Sequence, residues 1–350
     1  MTATPAPAAP AAAPVPQIRL LLGSYTDKDH PDGLRVLSLD PESGRMSVVA
    51  AYRTGGAIYQ ALSPDGLFVV SCSENGLSSF AVDGAGGLSA VDSVDLGATP
   101  CHVSLDAGCR NAFWTDYLGG RCGSVALDPS GRFGQVRTWR HEGDGPNKPR
   151  QDRAHCHQAL PSPQGEGFYV VDLGLDRIVR YPDALRIDTA PRGAGPRHMA
   201  FGRDGSPSFL VCELGNLVSS FRIRPDGTFD FLDTKPTLPP GDTGRGYNGD
   251  LAAAVRIAPS GNKVVVSNRG ENSLVSFSFD PGTGELSFAG RTMLDGSWPR
   301  DFVFVTDTLA VVALERSGIV EALRYDPEKG TFSRLDSIDG FFRPVALTRL

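Results

Sequence analysis

One phrase recurs along this chain: an apolar residue, Asp, turn formers, Gly, then a fresh apolar run. It reads "LDPESGRM" at Asp40, "VDGAGGL" at Asp83 and "LDPSGRF" at Asp128, and it degenerates to "YPDAL" at Asp183. It continues as "IRPDGTF" at Pro225, "FDPGTGEL" at Asp280 and "YDPEKGTF" at Asp326. These seven occurrences stand 42 to 55 residues apart, the period range of propeller blades. Each is the chemistry of a tight hairpin: Asp caps the turn, Pro sets φ, and Gly takes the left-handed position.

A second phrase alternates with the first: "LSPDGLFVV" (62–70), "LDAGCRNAFW" (105–114), "PSPQGEGFYVV" (161–171), "FGRDGSPSFLV" (201–211) and "IAPSGNKVVV" (257–266). Each feeds a run rich in strand formers, and no stretch sustains a helical period. Four short strands per unit in seven units predict an all-β, seven-bladed propeller. A two-sheet sandwich leaves the fixed repeat unexplained. The first unit, from "IRLLLGSYT", lacks an inner strand, and the C-terminal "RPVALTRL" supplies one, so the ends are expected to share blade one and remove an open sheet edge.

Composition bounds the rest. With 40% hydrophobic and 21% charged residues, the chain can bury a core, and a net charge of -6 argues against nucleic acid as a partner. No apolar run reaches the ~20 residues of a membrane helix. Residues 1–17 read as a disordered Ala/Pro tail without the features of a secretory signal, and 18–350 as a single propeller. The six cysteines form no C-x-x-C pair and are spread too thinly for a disulfide scaffold, so free thiols, a cytoplasmic setting and no metal are expected. "DKDHPDG" (27–33) departs from calcium-loop spacing and reads as a solvated loop.

In a propeller the inner strands begin at one mouth of the central channel. Counting back six positions from Pro163 gives His157, and from Arg203 gives Arg197. "CELGN" brings Glu213 to that mouth, "VVVSNRGEN" brings Asn268 and Arg269, and "WPRDF" brings Arg300. Arg153 and His155, in "DRAHCHQ", stand beside His157. Cys156, between the two histidines, is expected to face away from them.

"DRAHCHQ", "GAGPRHMAF", "VVDLGLDRIVRY", "CELGN" and "SNRGENSL" together resemble the hallmark phrases of the lactonase-type seven-bladed propellers, from 23 to the C-terminus. That family includes 6-phosphogluconolactonases and carboxy-cis,cis-muconate cyclases, and His-x-His with "GPRH" is more similar to the sugar-lactonase branch. The resemblance implies His157 as channel histidine, Arg197 and Arg269 as channel arginines, and Glu213 as the acidic residue. Ala254 departs from it, because the family commonly has an acid there. The activity implied is opening of a sugar lactone without a cofactor. A neutral histidine, ordinarily of pKa ~6.5, would activate water; arginines would hold the anion and the oxyanion; and Glu213 would orient or share the proton. His155, Arg153, Asn268 and Arg300 would bind substrate.

Alternatives stand beside this reading. His157 can be a satisfied strand histidine, or the orienter of His155 as base, and Arg197 and Arg269 can be bridges between blades. His102 and His198 read as packing or turn residues, and Asp172 and Asp176 as turn acceptors. A muconate-type cyclase or a non-catalytic binding propeller would use the same fold. The expected partner is a small anionic lactone or dicarboxylate, with the chain a monomer or weak homo-oligomer.

Overall fold

The Asp turns form as the repeat predicts. In a computed structural model describing residues 16–165, 167–188, 191–202, 206–241 and 249–350, Asp40 Oδ1 accepts the amides of Glu42 and Ser43. Asp280 Oδ1 accepts those of Gly282 and Thr283, and Asp326 Oδ1 those of Glu328 and Lys329. Gly44 closes the first turn at φ 76°, a conformation that costs glycine little. The tail through residue 15 and the turn at Arg203 lie outside the described residues.

The described strands form seven four-stranded antiparallel sheets, each strand hydrogen-bonded to its neighbours in the blade. The inner strands are Pro344–Arg349 of blade one and, for blades two to seven, Gln60–Leu62, His102–Leu105, Cys156–Pro161, Pro196–Phe201, Leu251–Ile257 and Pro299–Thr306. They touch one another in ring order around a central channel. Blade one is closed as the register predicted: the last strand pairs with Ile18–Ser24, setting Leu20 opposite Arg349 and Leu22 opposite Leu347. No helix among the described residues is long and apolar enough to cross a membrane.

Blades pack face to face, so second strands are covered on both sides. Phe68–Cys72, Ser208–Cys212 and Lys263–Arg269 are buried throughout, whereas the outer strand Met46–Arg53 alternates with solvent. Apolar clusters fill the seven blade junctions. The junction of blades seven and one is aliphatic in the main, with Leu20, Leu22, Leu37, Val305, Val311 and Leu347. That of blades three and four carries Cys122 and Cys156 among aromatic rings.

Candidate active site

The channel residues are aimed by β-bulges. Where blade four's inner strand begins, Cys156 lies opposite Asp172 and Gln158 opposite Val171, leaving His157 in a bulge. The same irregularity places Arg197 between Pro196 and His198, and Arg300 between Pro299 and Asp301. A bulge opposes two residues to one and re-aims a side chain at a sheet end. Three inner strands thus present a polar residue at one mouth, each at the same place in its blade.

Glu213 sits one residue past the second strand of blade five and is 2% exposed. Its Oε2 receives Arg197 Nε at 3.0 Å and Arg269 Nη2 at 2.7 Å, while Oε1 pairs with Arg150. Burial works against this carboxylate, but Arg269, Arg150 and Arg197 hold it well below the usual range. It is therefore an acceptor and clamp at neutral pH. The arginines spend further donors on backbone: Arg197 Nη1 on Ala253 O at 2.8 Å, and Arg269 on Leu251 O and Ala252 O at 3.3 and 3.0 Å. They bridge blades five and six while facing the mouth.

A second carboxylate repeats the device. Glu315 of blade seven meets Arg300 at 3.2 Å and Arg343 Nε at 3.1 Å, and both guanidiniums lie over Tyr25. Five guanidiniums and two carboxylates therefore gather here among the described residues. The mouth is electropositive although the chain is acidic.

His157 is buried, and its Nδ1 has no hydrogen-bond partner among the described residues. Burial first, then the nearby Arg197, drives its pKa well below the usual 6.5, so it stays neutral. His155 is differently placed. Nδ1 faces Tyr117 O at 2.9 Å, Nε2 faces Asp152 Oδ1 at 3.1 Å, and the ring stacks on Tyr117 at 4.3 Å. Both its nitrogens are engaged, which favours His157 as the reactive ring.

Several expectations shift. Asn268 is fully buried but tied by its amide to Thr237 O at 2.9 Å and Ser273 Oγ at 3.2 Å, outside the Glu213 cluster. Arg153 is exposed and paired with Asp152. Of the two readings of His102 and His198, packing holds: their rings meet inside the channel, His198 lying 5.1 Å from His157 and 5.7 Å from His102. Ala254 belongs to the apolar cluster with Leu274 and Phe302 rather than to the arginine cluster. Asp176 caps turns as expected, accepting from Gly193 and Gly195, and Asp27 closes a solvated loop on His30. Arg150, Arg343 and Glu315 were missed. Glu315 had a signal, since "VVALERSG" sets Glu after a second strand as "LVCELGN" does. Arg150 stands among the basic residues just before the histidine pair in "NKPRQDRAHCH", but the 141–155 loop has no period that could aim it at Glu213.

The profile described as "Lactonase, 7-bladed beta-propeller" matches residues 19–346. The chain belongs to this family. It is 28% identical over 342 residues to a 6-phosphogluconolactonase of Bacillus subtilis, covering 93% of this chain and 96% of that one. A 6-phosphogluconolactonase of Formosa agariphila is 26% identical, covering 90% and 95%. Among solved structures, a periplasmic gluconolactonase of Pseudomonas aeruginosa superposes with a TM-score of 0.88 at 26% identity, covering 96% of this chain and 99% of that one.

Proposed function

We propose that this chain hydrolyses a sugar lactone carrying an anionic group, of the 6-phosphogluconolactone type, at the channel mouth. The observation that carries the reading is the neutral His157 with an unpartnered Nδ1, set among the described residues beside five guanidiniums and two carboxylates. The names of the family relatives support the same class of reaction.

Water gives a proton to His157 as its oxygen bonds to the lactone carbonyl carbon. The negative charge that develops on the carbonyl oxygen is met by guanidinium N–H groups of Arg197 and Arg269, fixed before the reaction begins. The ring C–O bond then breaks and its oxygen takes the proton from His157, leaving a hydroxy acid. Arg300 and Arg343 would attract the substrate's anion. Glu213 holds three arginines in register and does not itself move a proton.

Turnover of 6-phosphogluconolactone and gluconolactone by wild type and His157→Ala tests this reading. The phosphorylated lactone should have the higher kcat/KM, and the variant should lose on the order of 100-fold while remaining folded. Inertness toward both lactones would overturn the proposal, as would turnover of a muconate in their place.

A further inference from the structure

Behind the mouth, at the junction of blades three and four, two cysteines and a histidine distant in sequence converge. The Sγ atoms of Cys122 and Cys156 and one ring nitrogen of His141 all lie within 4.8 Å of one another, and the three residues are buried. Cys122 Sγ stands 3.9 Å from His141 Nε2. Tetrahedral zinc sets S···S and S···N separations of about 3.8 and 3.6 Å, so no pair of the trio would close by more than about 1.2 Å on loading.

Three further features complete a ligand set. His141 Nδ1 is held at 2.6 Å by Asp172 Oδ2, the carboxylate–histidine arrangement that orients a metal-binding imidazole and raises its basicity. The Tyr181 hydroxyl lies 2.9 Å from His141 Nε2, an oxygen beside the trio. His141 and Tyr181 also line a surface cavity of about 250 Å³ with Trp139 and Arg177, which gives an ion a way in. No C-x-x-C pair announces the cluster, because its cysteines come from different blades.

We propose that Cys122, Cys156 and His141, with Tyr181 as fourth ligand, form a structural site for a thiolate-seeking divalent ion of the zinc class. Sulfur and imidazole donors select such an ion over magnesium or calcium. The site also bears on the mouth: Cys156 lies between His155 and His157, and Asp172 Oδ1 accepts the His155 amide at 2.9 Å. A bound ion would pin the strand end that carries both histidines. The proposal stands whether or not the chain opens lactones.

The test uses the full chain, reduced and stripped of metal by a chelator, then titrated with Co2+ and displaced by Zn2+. One equivalent should bind, with a thiolate-to-cobalt charge-transfer band, and Zn2+ should raise the melting temperature. Cys122→Ser, Cys156→Ser and His141→Gln should each lose the band and the thermal shift. Cys109→Ser should keep both, and Asp172→Asn should weaken binding by roughly 10- to 100-fold. Should a ligand variant fail to fold, the wild-type cobalt spectrum decides. Absence of the thiolate band there, a band that survives Cys122→Ser, or a Cys122–Cys156 disulfide in the native chain would each overturn the site.

Discussion

The channel buries two polar regions side by side, and they meet the cost of burial in opposite ways. At the mouth, charge is retained and paired: Glu213 with Arg150, Arg197 and Arg269, and Glu315 with Arg300 and Arg343. Deeper in, one ion pair, Arg256 with Asp301 at 2.6 Å, reaches Tyr59, and the imidazoles beside it give their charge up. His157, His198 and His102 lie ring to ring above Tyr59, and burial holds all three histidines well below their usual pKa. The residue types explain the division. A guanidinium cannot shed its proton near neutral pH and must find a carboxylate. An imidazole can, so it enters the interior neutral and needs no counter-ion. His157 lies where the two regions meet, neutral by burial yet facing fixed positive charge.

The largest expected effect comes from removing the counter-ion at the mouth. Glu213→Gln leaves the buried guanidiniums of Arg197 and Arg269, and the half-buried one of Arg150, facing an uncharged side chain and should cost about 3–5 kcal/mol of stability, read from denaturant unfolding. A loss below about 1 kcal/mol would show that the mouth is wet and the pairing weak.

Acid should act on the deeper region. Histidines with depressed native pKa values contribute stability that is present above their unfolded value near 6.5 and is lost as pH falls below it, because the unfolded chain then binds protons the native one refuses. Three such groups give a limiting slope of up to roughly 4 kcal/mol per pH unit. Asp301, whose pKa is raised by burial, runs the other way, so the comparison is best made between variants. His198→Phe should take about 1.4 kcal/mol per pH unit out of the slope between pH 6.5 and 4.5; an unchanged slope would mean that His198 protonates freely in the folded chain.

Exchanging the cation while keeping its charge separates pairing from geometry. Arg269→Lys retains the charge beside Glu213 but cannot reproduce donation from both Nε and Nη2 to the Leu251 and Ala252 carbonyls. It should lower kcat/KM for a lactone by about 10-fold or more, roughly 1.4 kcal/mol. Wild-type kinetics from this variant would make Arg269 a bridge between blades and nothing further. The smallest effect is a null one. Because His157 is neutral well below pH 6.5, kcat/KM should stay flat between pH 7.5 and 6.5 on its account. An acid limb within that interval would assign the base to another group.

Much of this molecule could be read in advance, and the reason is local. The Asp turns, the strand lengths and the missing inner strand of the first unit depend on neighbours within a few residues, so the repeat carried blade number, register and ring closure. The mouth was reachable through that register: six positions back from a turn led to His157 and Arg197, and the "CELGN" phrase led to Glu213. Asn268 was misplaced because adjacent strand residues face opposite ways. Its neighbour Arg269 turns to the mouth, while Asn268 turns to Thr237 and Ser273 of its own neighbourhood.

What depends on one blade lying against the next was not legible. Arg150 reaches Glu213 from a loop 63 residues earlier, and His141 meets Cys122 and Cys156 from the other end of that loop. That His102 and His198 pack against each other, and His198 against His157, was for the same reason not legible. By itself the sequence determined the repeat, the blades, the shared first blade and the position at the mouth of His157, Arg197, Glu213, Arg269 and Arg300, because turn chemistry and alternation act along the chain. Tertiary structure alone decided which charges are paired, which imidazoles are neutral and which sulfurs are neighbours, because desolvation and ion pairing are set by distance in space.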